Sequence, residues 1–124
     1  VMLKNFSEII QQQFEEDQFE VHLKLNADHE LYKGHFPDQK ITPAVVMIHL
    51  FKQTAEDFSA EELQLEEASN LKFLNVLDPN QENVLICVGS IEKQENKYVL
   101  KAVAKTSLKV IAKVKLIFTT FVDH

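Results

Sequence analysis

The sequence predicts an α+β domain, on three observations. Residues 43–57 follow a helical pattern whose first half is almost wholly apolar. Most of the remaining chain falls into long runs that alternate apolar and polar residues, as strands with one buried face do. Short polar turns at Glu16-Asp17, Asp78-Pro79-Asn80 and Glu95-Asn96 separate these runs, which suits antiparallel neighbours. With 124 residues, 45% hydrophobic and 26% charged, the chain reads as a single domain over residues 1–124.

Taken in order, Met2 to Asn5 is a short lead-in. Phe6–Glu15 and Gln18–Asn26 read as two strands. The second places Phe19, Val21, Leu23 and Leu25 on one face and Glu20, His22 and Lys24 on the other. A helix is the rival reading for Phe6–Phe14, because three successive glutamines carry no strand preference. His22 is expected to be exposed, and Ala27–Lys33, with His29 and Glu30, to be a solvent-facing connection.

The helix is expected from Pro43 to Asp57. Thr42 suits its N-terminal cap, and Pro43 suits the first helical position because it has no N–H to satisfy. From Ala44 to Phe51 it is apolar on every side except His49, so burial all round is expected. The acidic segment Ala60–Glu67 reads either as a helical turn or as the beginning of a strand. Strands follow at Ala68–Val76, Asn83–Lys93, Lys97–Thr106 and Leu108–Phe121. The last puts Leu108, Val110, Ala112, Val114, Leu116 and Phe118 on one face.

Composition narrows the function classes. No apolar run approaches the roughly 20 residues that span a bilayer, and the N-terminus lacks a signal-peptide pattern, so a cytoplasmic protein without a membrane span is expected. Cys87 is the one cysteine; its apolar surroundings make it a core residue, not part of a disulfide or a cysteine metal site. Net charge is −6 and every basic residue is a lysine, which argues against nucleic acid as a partner. From Lys93 onward, Lys93, Lys97, Lys101, Lys105, Lys109, Lys113 and Lys115 stand against Glu95 and Asp123 alone. Such a run is either a solvated face of two strands or a docking surface for an acidic carrier protein.

Chemistry concentrates in Gly34–Gln53. Gly34-His35-Phe36-Pro37 forms a turn, and with only two glycines in the chain Gly34 is expected at a left-handed or close-approach position. His35 and His49 flank the helix N-terminus, where free N–H groups and the dipole favour developing negative charge. Read alone, His35 is also compatible with a satisfied turn histidine and His49 with a core histidine. No third ligand at a recognisable spacing accompanies them, so no metal is expected. Ser7, Ser107 and Cys87 lack a nucleophile motif.

On Gly34, His35, Phe36, Pro37, Ile41, Pro43, Val45 and Gln53, the stretch resembles the 3-hydroxyacyl-[acyl carrier protein] dehydratases of fatty-acid synthesis. The likeness runs from about Phe6 to Val122 and includes Lys72-Phe73 ahead of Asp78-Pro79. It implies the hotdog fold, a long antiparallel sheet wrapped around a central buried helix, assembled as a homodimer or a higher oligomer. It implies His35 as the base at C2 of the substrate and the Ala44 N–H as donor to the thioester carbonyl. His49 falls where the family has the acidic residue given by the partner subunit, and Gln53 where a glutamine supports it. Gly34, Phe36, Pro43, Ala44 and Val45 would line the substrate. Asp38 and Ala44 replace two family glycines. The implied partner is acyl carrier protein bearing a phosphopantetheine-linked acyl chain, or acyl-CoA, with no cofactor. The alternatives are a non-catalytic acyl- or carrier-binding hotdog subunit and a hotdog acyl thioesterase, for which Glu56 and Asp57 stand far along the helix.

Overall fold

A computed structural model describes residues 4–33 and 41–121. Its strands are β1 (Ser7–Glu15), β2 (Gln18–Leu25), β3 (Leu63–Phe73), β4 (Val84–Gln94), β5 (Lys97–Lys105) and β6 (Val110–Thr120). A 3-10 turn, Glu30–Tyr32, and one helix, α1 (Ala44–Ser59), lie between β2 and β3. The strands form one sheet in the order β1-β2-β4-β5-β6-β3, antiparallel at each described pairing. The architecture is α+β, with one face of the sheet curled over α1.

Alternation along the central strands builds the core. Val21, Leu85, Leu100, Leu116 and Phe118 point inward from four strands and meet Leu50 and Phe51 of α1, all buried. Each such side chain contributes about 1.5–3 kcal/mol by leaving water. Cys87 is buried among them, and burial pushes its thiol up to about 12. Gly89 is required by close approach. A Cβ there would lie 2.1 Å from the Lys101 carbonyl oxygen and 2.7 Å from the Ala102 Cα on β5.

One open alternative is resolved in the folded chain, and two expectations change. The glutamine run is strand: β1 pairs with β2 from Ser7↔Leu25 to Glu15↔Gln18, with a bulge between Ile9 and Gln11. Pairing and the half-buried Phe14 decide this, since local preference is nearly neutral there. The acidic segment and the following strand are one element, β3. Ala60 turns left-handed (φ 57) to end α1, and the chain reverses at once to pair with β6. β3 is an edge strand exposed almost throughout, so its glutamates stay in water. The last strand begins at Val110, not Leu108. Thr106 closes a turn with its N–H on the Lys109 carbonyl (2.9 Å), leaving Leu108 79% exposed. At the β1–β2 and β4–β5 hairpins, Glu16 (φ 55) and Glu95 (φ 60) take the positive φ that tight two-residue turns need.

Candidate active-site face of the helix

The start of α1 is held by contacts that the sequence pattern did not indicate. Pro43 occupies the cap position in extended backbone, and no side chain caps the helix. Thr42 does not cap it because its hydroxyl is engaged elsewhere. That hydroxyl shares a 2.8 Å hydrogen bond with the Tyr32 hydroxyl, while the Thr42 N–H donates to the Leu77 carbonyl at 2.9 Å. Burial pushes the Tyr32 phenol up; the Thr42 hydrogen bond opposes this and the Asp78 charge adds to it. Ala44 is the first helical residue, so its N–H has no intrahelical acceptor and lies at the positive end of the dipole. The N–H of Val46 turns back to the Pro43 carbonyl at 3.1 Å.

The helix is not buried all round. Val46, Met47, Leu50, Phe51, Thr54 and Ala55 face the sheet and are buried. Ala44, Val45, His49, Gln53 and Asp57 are exposed, Val45 to 70%. The curl of one sheet covers a single side of a helix, whatever the composition of the other side. His49 is therefore not a core histidine in this chain. His49 and Gln53 stand one turn apart on the open face, as the i, i+4 spacing requires.

A groove of ≈ 240 Å³ adjoins this face, between α1 and the β1–β2 pair. Ile9, Val21, Leu23 and Leu50 supply its apolar surface, with Ser7, Gln12, Gln53, Thr54 and Asp57 around them. Aromatic contacts pin β1 on either side. Phe14 meets Phe58 edge-on at 5.5 Å, and Phe6 packs on His29 at 5.3 Å and Tyr32 at 5.6 Å. Burial raises the Asp57 carboxyl above its ordinary 3.8, and the neighbouring Glu56 charge adds to this. Glu56 is itself occupied, accepting the Leu63 N–H at 3.0 Å.

The remaining described histidines have structural partners. His29 accepts the Leu31 N–H on Nδ1 at 3.0 Å, which leaves the proton on Nε2 to be donated to the Lys4 carbonyl at 2.8 Å. It is thus a staple for the chain ahead of β1 and not a free loop residue. His22 is half-buried and pairs with Glu20 at 2.7 Å. Tyr98 donates to Glu61 at 2.6 Å, and that bond, with burial, pushes its phenol up to about 12.

Of the residues singled out from sequence, Pro43, Ala44 and Val45 are consecutive at the start of α1, and His49 and Gln53 share its open face. Gln53 is nine residues past Ala44, about 13 Å of helix rise, so those two do not converge within one chain. Gly34, His35, Phe36, Pro37 and Asp38 lie outside the described residues. Asp57 lines the groove although sequence reading set it aside; its i+4 spacing from Gln53 was the available signal. Among the described residues no cluster of His, Cys, Asp and Glu could hold a metal ion, and no helix is long and apolar enough to cross a membrane.

Comparison with known proteins then supplies the family. The ApeI-like family profile, described as ApeI dehydratase, matches residues 11–115. Among solved structures, the chain is similar to the dehydratase heterocomplex ApeI:P from Xenorhabdus doucetiae, with TM-score 0.78 and 18% identity over 91% of this chain and 97% of that one. It is similar to Cj0977, a sigma28-regulated virulence protein from Campylobacter jejuni, with TM-score 0.72 and 12% identity over 98% and 88%. It is also similar to a hypothetical thioesterase with coenzyme A from Streptococcus pneumoniae, with TM-score 0.67 and 12% identity over 96% and 90%. At these identities the likeness speaks for the fold. No curated protein matches the chain.

Proposed function

This chain belongs to the ApeI-like dehydratase family and has the hotdog fold, and on that premise we propose that it removes water from a 3-hydroxyacyl thioester. The observation that carries the reading is the open face of α1. There His49 and Gln53, one turn apart, are presented to solvent beside exposed Val45, while the opposite face is core. In this reaction His35 takes the C2 proton, and the electron pair forms the C2–C3 double bond. The C3–O bond breaks, and the leaving hydroxyl takes a proton from the His49 side to depart as water. The Ala44 N–H, free at the helix start, stabilises the enolate-like oxygen. Gln53 holds the His49 side chain or a water beside it. Gly34, Phe36, Pro43 and Val45 line the acyl thioester.

The working unit is a homodimer whose site combines the roles of His35 from one copy and His49 from the other. Support comes from apolar surface that one chain leaves open: Val45 on α1, and Leu65, Leu71 and Phe73 on β3, all exposed. A dimer that covers them gains about 25 cal/mol per Å² of apolar surface removed from water. An unlike hotdog partner would cover the same surface. The acyl group arrives on a carrier protein or on coenzyme A. One observation favours hydrolysis as a second reading: Asp57, a carboxyl raised by burial, lines the groove beside Gln53 and could orient a water.

The test is a dehydration assay on purified protein, following loss of water from 3-hydroxyacyl thioesters by mass spectrometry. Turnover that His35→Ala abolishes supports the dehydratase. Release of free thiol that Asp57→Asn abolishes supports hydrolysis instead. Inert wild-type protein that gains dehydration with His49→Glu identifies a binding subunit that has left catalysis.

A further inference from the structure

Ahead of α1, two buried hydroxyls engage each other where a helix cap was available. With Pro43 as the first helical residue, a Thr42 cap would accept the N–H of Ala44 or Val45. Instead the Thr42 hydroxyl pairs with the Tyr32 hydroxyl at 2.8 Å, and both residues are buried. The two ends of this pair are held independently. Tyr32 donates its N–H to the His29 carbonyl at 3.1 Å and rests its ring on fully buried Phe6 at 5.6 Å. Thr42 donates its N–H to the carbonyl of Leu77, also fully buried, at 2.9 Å. Leu77 leads into a turn closed by Asp78, whose carboxylate accepts the Asn80 N–H at 2.9 Å and whose carbonyl accepts that of Gln81 at 3.0 Å. Thr42 is thus gripped by the 3-10 turn on one side and by the β3–β4 connection on the other.

We propose that Tyr32 and Thr42 are positioning residues that aim the Ala44 N–H at the substrate. The inference rests on the dehydratase reading, in which that N–H stabilises the enolate-like oxygen. Two consequences of the Tyr32–Thr42 bond support it. The bond draws the Thr42 hydroxyl off the helix, so it does not compete with substrate for the Ala44 N–H. It also fixes the direction from which the chain enters α1. Pro43 is the one residue between Thr42 and Ala44, and its ring holds φ at −65°, so orientation set at Thr42 passes on with little play. A donor to a developing oxyanion acts only when it is already aimed, within about 0.5 Å and 10–20°. Stability alone gives no reason for the pair. Replacing both partners of a buried hydrogen bond by apolar groups of the same shape is close to neutral, and an apolar contact does not fix direction.

The variant that tests this is Tyr32→Phe/Thr42→Val, which removes both hydroxyls and keeps both shapes. Its thermal midpoint is expected to stay close to that of wild type. Nitrogen-15 relaxation of the backbone amides reads the helix start without any turnover. The Ala44 order parameter is expected to fall from about 0.85 towards 0.6, while that of Phe51 is unchanged. In the dehydration assay kcat falls about tenfold or more and KM stays within about twofold, as for an interaction made in the transition state. Thr42→Ser, which keeps the hydroxyl, retains kcat within about threefold. An Ala44 amide as ordered in the double variant as in wild type overturns the proposal. So does an undiminished kcat, or a loss of activity that merely follows a collapse of the thermal midpoint. A wild type inert on every 3-hydroxyacyl thioester sinks the dehydratase reading, and the Ala44 order parameters still decide whether the pair holds the helix start.

Discussion

The two faces of α1 are built from similar residues and do opposite things. Val46, Met47, Leu50 and Phe51 are buried against the sheet, while Val45 is 70% exposed one position from Val46. The buried face also tolerates polarity, provided it is satisfied: Thr54 is buried and donates to the Leu50 carbonyl at 3.2 Å. The open face holds polar groups, His49 and Gln53, for which no such partner stands among the described residues. The difference teaches that hydropathy marks what can be buried, while placement against a neighbour decides what is.

The comparison breaks most visibly at Phe51. Phe51→Ala on the buried face is expected to lower stability by about 3–5 kcal/mol, read as a shift in the urea midpoint. On the open face the balance reverses. His49→Ala is expected to change stability by no more than about 0.5 kcal/mol, while dehydration slows about 10²-fold or more. An equal loss of stability at His49 would mean that this face is covered and structural. Val45→Asp tests the proposed dimer at this face: the folded chain should persist while any self-association of wild type, read by sedimentation, is lost.

Smaller effects lie at the far end of the helix. Asp57 has a folded-state carboxyl raised above its ordinary 3.8, so the folded chain holds that proton more tightly than the unfolded chain. Stability attached to this group is present below 3.8 and declines as pH rises through the raised value. Asp57→Asn is therefore expected to raise the thermal midpoint at neutral pH and to lose that advantage below the ordinary carboxylate value. A gain that is independent of pH would sink this assignment. Ala60→Gly relieves the left-handed residue that ends α1 (φ 57), and a gain of about 0.5–1 kcal/mol is expected in the same melts.

Much of the fold was legible because its signals are local. The clean alternation of Phe19, Val21, Leu23 and Leu25 places β2 to within a residue. Turn residues marked the β1–β2 and β4–β5 hairpins, and the apolar run beside Cys87 marked β4. The glutamine strand and the acidic start of β3 were obscure because both lie on edge strands, where exposed positions carry no alternation to read. At the candidate site, the family pattern at Pro43, Val45 and Gln53, with Ala44 and His49 as departures from it, was readable, but their exposure was not. The groove was missed for a related reason: its walls join the β1–β2 hairpin to α1, segments distant from each other in sequence.

Local sequence was enough for the α+β class, the strand alternation, the helix and the spacing that puts His49 and Gln53 on one side of it. Backbone periodicity is a property of neighbours along the chain, so composition and spacing suffice. Packing between distant segments set which side of α1 is core, which strand is an edge, that Thr42 holds Tyr32 instead of capping the helix, and that four lysines stand in two opposed pairs. Those outcomes depend on which segments meet across the sheet, and register between distant strands is written in no single stretch of the chain.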